Sequence, residues 1–188
     1  MLNALILAGT LAIPAPAHRN LIVNGDFSAG NKGFKSGYTM ATDLGSEGSL
    51  VVGRNPHDFH AGGASFGDHT SGKGLMLLLN GSPTPDTAVW EESVKVQPNR
   101  AYSFGFWAAS WGQFGEPNTD PSPAKLVVTV NGKQLGGVFG VYPRDGAWTK
   151  FVGVWKSGTA SSATIRIVDQ NLEGVGNDFA IDDIVFHD

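Results

Sequence analysis

No cysteine occurs anywhere in the 188-residue chain. No disulfide constrains its unfolded ensemble, so stability has to come from a packed core or from a bound ion. Charge is scarce too: 16% of residues are charged, and seventeen acidic against thirteen basic residues spread without blocks to a formal net charge of −4. The basic patch of a nucleic-acid binder is missing, which excludes nucleic acid as a partner. No long helical periodicity runs through the chain, and past residue 17 no apolar stretch is long enough to span a bilayer.

Glycine and proline are abundant instead, twenty-six and ten residues. Both interrupt helices and supply turns between short strands, so the composition points to an all-β chain. A hydrophobic content of 41% in 188 residues fills one domain core.

Residues 1–17, MLNALILAGTLAIPAPA, are uncharged, apolar from Leu2 to Ile13, and end in the small-residue run Ala15-Pro16-Ala17. The pattern is that of a signal peptide, although its start lacks the usual Lys or Arg. The expectation is an exported chain whose single domain spans 18–188, with no membrane association after processing.

Beyond the leader the apolar clusters alternate with period two. In AYSFGFWAAS, Tyr102, Phe104 and Phe106 share one face and Trp107 takes the other. In KLVVTVNG, Leu126, Val128 and Val130 share a face, and Asn131-Gly132 supplies a hairpin turn. WTKFVGVW, ATIRIVD and FAIDDIVF repeat the pattern. Eight to ten such strands predict a two-sheet sandwich. The proline-rich stretch 112–124 reads as a surface loop within it.

The stretch VGRNPHDFHAGGASFGDHTSGKGLMLLLNG (52–81) carries three of the five histidines. His57, His60 and His69 with Asp68 invite a zinc reading, but Pro56 and the glycines oppose the helix that would align His57 with His60. Hydrogen bonding to loop backbone is the favoured alternative. Catalytic patterns are poor. Glu91 and Glu92 are adjacent on a strand, so they face opposite sides and cannot flank one glycosidic bond. No G-x-S-x-G elbow occurs, and SGKG lacks the spacing of a phosphate-binding loop.

NLIVNGDFSAG near the start and GNDFAIDDIVFHD at the end, with the loop above and VWEESVKVQPNRAYSFGFWAAS between them, resemble the galactose-binding-like jelly rolls of bacterial carbohydrate-binding modules. The resemblance covers nearly all of Asn20 to Phe186, its two ends corresponding to the first and last strands. It implies a structural calcium joining the first strand, the loop and the last strand. The implied ligands are a backbone oxygen at Asp26, the Asp182 carboxylate, and Asp68 with a carbonyl near Gly72 or Gly74, with Asp183 as a supporting acid. Ser28 stands where the family often has Glu, which weakens the site or shifts its charge onto Asp26 or Asp68.

For a glycan, flat aromatic rings and nearby polar groups are needed. Trp107 and Trp111 are the leading candidates, with Arg166 and Glu92 as polar partners; Phe114, Trp90, Trp148, Trp155 and Tyr142 rank lower, because most sandwich tryptophans are core. The resulting expectation is a secreted, monomeric, non-catalytic module that binds a polysaccharide. The alternatives are an adhesion or matrix-assembly module that binds protein, and a small jelly-roll lyase or hydrolase around His60, His69 and Asp68.

Overall fold

The computed structural model describes residues 19–112, 122–142 and 144–188. The expected leader and Phe114 lie outside the described residues. Ten strands are described: β1 Thr39–Met40, β2 Ser49–Gly53, β3 Met76–Leu79, β4 Ala88–Lys95, β5 Ala101–Ser110, β6 Lys125–Val130, β7 Lys133–Gly140, β8 Thr149–Lys156, β9 Ser162–Asp169 and β10 Phe179–His187. They form a six-stranded sheet, β1-β2-β3-β10-β5-β8, and a four-stranded sheet, β4-β9-β6-β7. The two-residue β1 pairs parallel with β2, the one described departure from an antiparallel jelly roll. Among the described residues no helix is long and apolar enough to cross a membrane.

Alternation builds the interior. Tyr102, Phe104 and Phe106 of β5 and Leu126, Val128 and Val130 of β6 are buried together in the space between the sheets. The β6–β7 hairpin turns at Asn131-Gly132, whose positive φ values of 51° and 75° suit a two-residue turn.

A second, smaller core lies on the opposite face of the six-stranded sheet. Val51, Met76, Leu78 and Ala180 alternate with first-core residues along β2, β3 and β10, and pack with Leu44 and Trp111. The glycine- and histidine-rich loop covers them through Phe59 and Phe66. Both faces of β3 are therefore covered, which is why its MLLL is buried throughout and does not alternate.

The stretch expected as a first strand departs from that expectation. Residues 19–34 form bends and turns, with Asn24 and Phe27 both at positive φ (58° and 53°). Two ladder-like bonds still tie the stretch to β10, from Leu21 N–H to the Phe186 carbonyl and from Ile184 N–H to the Gly25 carbonyl, each 2.8 Å. A Cβ on residue 25 would lie 2.0 Å from the Ile184 oxygen, so only glycine permits this approach. Further on, Lys35 pairs with Glu91, adding an edge to the four-stranded sheet.

Candidate functional site

Three distant segments meet at an irregularity in β10. Its register against β5 shifts between Asp182 and Val185, and Asp183 sits there at φ 49°. Such bulges re-aim side chains. The Asp182 Oδ2 accepts the His69 N–H at 2.9 Å and the Thr70 N–H at 3.3 Å. Its Oδ1 is buried with no hydrogen-bond partner. Burial, with the like charge of Asp183 adding and backbone hydrogen bonds opposing, pushes the Asp182 carboxyl up to about 7. Asp183 holds the same loop from outside: its Oδ2 is 2.6 Å from His69 Nδ1 and its Oδ1 accepts the Thr70 hydroxyl at 2.6 Å.

The N-terminal stretch closes the other side. Asn20, Asn24, Asp26 and Asp183 share an open pocket of about 300 Å³ with Ile184 and Val185. Asp26 Oδ1 accepts the Ser28 N–H and hydroxyl, at 3.2 and 2.9 Å, so Ser28 serves the turn around Asp26.

Asp68 and Gly74 are tied to each other within the loop. Asp68 Oδ1 accepts the Gly74 N–H at 2.7 Å and the Ser71 hydroxyl at 3.1 Å, while Oδ2 accepts the Ser71 N–H at 3.1 Å. Burial alone would raise this carboxyl; the donors from Gly74 and Ser71 outweigh it and hold the group below the usual carboxylate range. The pair is a clamp inside the loop, with Gly74 contributing its amide. A Cβ on residue 74 would lie 2.6 Å from Asp68 Oδ2, which explains the glycine.

The histidines serve separate partners. His57 Nδ1 is 2.9 Å from the Gly63 carbonyl, His60 Nδ1 accepts the Gly62 N–H at 3.1 Å, and His69 meets Asp183. Among the described residues no group of three or more His, Cys, Asp or Glu is placed to hold a metal. A cation at the β10 junction would draw most of its ligands from carbonyl oxygens.

The four expected ligand-contact residues do not share one surface. Trp111 is fully buried, its Nε1 donating to the Leu79 and Phe179 carbonyls at 3.0 Å each, so it belongs to the second core and faces no ligand. Glu92 points inward, is 8% exposed, and accepts the Val23 N–H at 3.0 Å. It anchors the N-terminal stretch to β4, and burial raises its carboxyl. Trp107 lies half-buried on the outer face of the six-stranded sheet, stacked on His69 at 3.9 Å between ring centroids, with Lys150 Nζ 5.5 Å from its ring.

Arg166 lies on the outer face of the four-stranded sheet, its side chain 32% exposed. The register aligns Glu91, Arg166, Thr129 and Gln134 across β4, β9, β6 and β7. Arg166 Nε pairs with Glu91 at 3.2 Å and its Nη1 approaches Asp86 at 3.5 Å. A parallel row, Ala88, Val168 and Val127, is apolar and buried, each residue 6–8% exposed, and on the other side Ser93 and Thr164 share a hydrogen bond of 2.8 Å. No sequence pattern marks this row, because only sheet order shows that these four residues are neighbours.

The sequence matches no family model and no curated protein. Solved structures do match. A xylan-binding CBM22-1 domain from Paenibacillus barcinonensis Xyn10C superposes at a TM-score of 0.55 with 15% identity, covering 92% of this chain and 96% of that one. A family 16 carbohydrate-binding module gives 0.53 and 18%, with 90% and 100% covered. The fold is that of the carbohydrate-binding modules. TmCBM61, solved with β-1,4-galactotriose, is a further example of this module fold, at 0.50 and 16% with 89% and 97% covered. The module fold also occurs within larger enzymes: an α-L-arabinofuranosidase matches at 0.55 and 13% identity, with this chain covering 26% of its length.

Proposed function

We propose that this chain is an exported, monomeric, non-catalytic module that binds a polysaccharide on the outer face of its four-stranded sheet. The observation that carries the reading is the polar row Glu91–Arg166–Thr129–Gln134 on that face. A sugar presents hydroxyls along its edge and C–H groups on its faces. A line of donors and acceptors across four strands complements the hydroxyls. The Arg166–Glu91 pair holds its polar atoms in place before a ligand arrives, which lowers the cost of ordering them on binding. The module fold of the solved neighbours supports the same reading.

Calcium completes the proposal. Asp182 fits a hard cation: one carboxylate oxygen is buried without a donor, in a segment whose like-charged neighbour is Asp183. Its ligands would be Asp182, oxygens of the Asp26 turn, and carbonyls of the loop around residues 68–72. Strain is concentrated at this junction, with Asn24, Phe27 and Asp183 all at positive φ, as is usual where a site over-determines its backbone. Bound there, the ion would supply positive charge that ties the N-terminal stretch and the loop to β10.

The test is a glycan-array screen of wild type and Arg166→Ala, each with calcium and with EDTA. Binding that is retained by Trp107→Ala and lost by Arg166→Ala supports the reading. An intact fold that binds no glycan overturns it and favours protein adhesion, for which the exposed Val152 and Val154 of β8 offer a surface.

A further inference from the structure

At the end of β9 the sandwich buries a polar cluster that neither the glycan face nor the β10 junction uses. Asp169 is 3% exposed. Its Oδ1 accepts the Lys125 and Asn171 N–H groups, at 2.8 and 2.9 Å, while its Oδ2 is buried with no partner. Asn177 is fully buried; its Nδ2 donates to the Asn171 carbonyl at 3.0 Å, and its Oδ1 also has no partner. The chain is shaped around this amide: a Cβ on Gly81 would lie 2.0 Å from Asn177 Oδ1. Next to Gly81, the Ser82 N–H donates to the Tyr38 hydroxyl at 3.0 Å. Burial raises the Tyr38 phenol, and the Asp169 carboxylate followed by that of Asp178 adds to the shift, so both acids lie in its neighbourhood.

The cluster thus carries two buried oxygen acceptors without donors and one buried carboxylate. Among the described residues no cationic side chain is in ion-pair contact with Asp169; burial pushes its carboxyl up to about 6, and the charge of Lys125 only partly offsets this. An unpaired buried charge is costly, and an unsatisfied buried acceptor adds to the cost. A water molecule would supply donors and leave the charge. A hard cation meets both demands, because it takes carboxylate, amide and carbonyl oxygens together.

We propose that Asp169 and Asn177, backed by Gly81 and the Tyr38 hydroxyl, form a second calcium site at the β9 end of the sandwich, independent of the one at Asp182. It fastens the 170–178 segment, which leads into β10, to β9. The Asn171 Nδ2 bond to the Ser122 carbonyl extends the same link toward the start of β6.

Counting calcium equivalents by equilibrium dialysis after EDTA treatment tests this. Wild type is expected to bind two equivalents, and Asp169→Asn and Asp182→Asn one each. Gly81→Ala, which displaces Asn177 without removing a carboxylate, is expected to weaken one equivalent at least tenfold and leave the other unchanged. Should Asp169→Asn fold poorly, the wild-type and Asp182→Asn counts still decide. A single wild-type equivalent abolished by Asp182→Asn, or two equivalents persisting in folded Asp169→Asn, overturns the second site and leaves a buried water there. A single equivalent lost only in Asp169→Asn upholds it and removes the ion from the Asp182 junction.

Discussion

His69 lies face to face with Trp107, ring centroids 3.9 Å apart and planes 18° from parallel, while its Nδ1 meets Asp183 at 2.6 Å. One side chain therefore couples the acidic bulge of β10 to the ring expected as a sugar platform. With one face against His69, Trp107 has a structural partner. His69→Ala is expected to cost about 1 kcal/mol for the aromatic pair and to red-shift tryptophan emission, read by denaturation and fluorescence. Glycan affinity should stay within twofold of wild type; a tenfold loss would return Trp107 to the binding surface.

Trp111 gives the converse case. It fills the second core, and its indole N–H serves two carbonyls of adjacent strands. Trp111→Ala is expected to destabilise the fold by about 3–5 kcal/mol. Trp111→Phe should cost less, since most of the volume returns and only the N–H is lost. Urea unfolding of both variants measures the difference.

Asp68 stabilises the loop through donors from Gly74 and Ser71. Asp68→Ala leaves those donors without their carboxylate and should cost about 2–3 kcal/mol. Gly74→Ala forces a carbon against Asp68 and should lower stability as well. If Asp68 were a direct calcium ligand, its loss would also abolish calcium binding; the expected result is weaker binding that excess calcium restores.

Glu92 predicts a pH dependence. Its buried carboxyl is raised above the ordinary glutamate value of 4.5, so the folded protein holds this proton more tightly than the unfolded chain. In the window from 4.5 up to the raised value, the folded state binds more protons, and stability falls as pH rises. Glu92→Gln keeps an acceptor for the Val23 N–H and removes the titration. The difference between wild type and variant, from urea unfolding at a series of pH values, should change through that window and level off above it. A constant difference would contradict the assignment.

Much of the fold was legible because burial follows period two: the Phe104/Phe106 and Leu126/Val128/Val130 faces point inward as their spacing requires. The second core was not. Trp111 lies under a loop that covers it from a distance in sequence, and no local pattern distinguishes such a residue from an exposed one, whereas the unbroken MLLL of β3 marks burial without showing what covers its second face. The N-terminal stretch departs from a strand for a related reason. Its apolar residues suit a strand, but the Asn24–Phe27 turn and the approach of Gly25 to Ile184 dictate bends. At the candidate site, Asp182 and Asp183 stood out as a pair on the last strand. Their division of labour depends on a register shift that composition does not reveal. Arg166 was visible as a strand cation, whereas its alignment with Glu91, Thr129 and Gln134 depends on strand order.

The most direct test of the account is a backbone amide NMR titration with an oligosaccharide that scores on the array. The largest shift changes should fall on Glu91, Thr129, Gln134 and Arg166, with the amides around Trp107 and Val154 unmoved. Shifts concentrated on β5 and β8, with the Arg166 row silent, would contradict it.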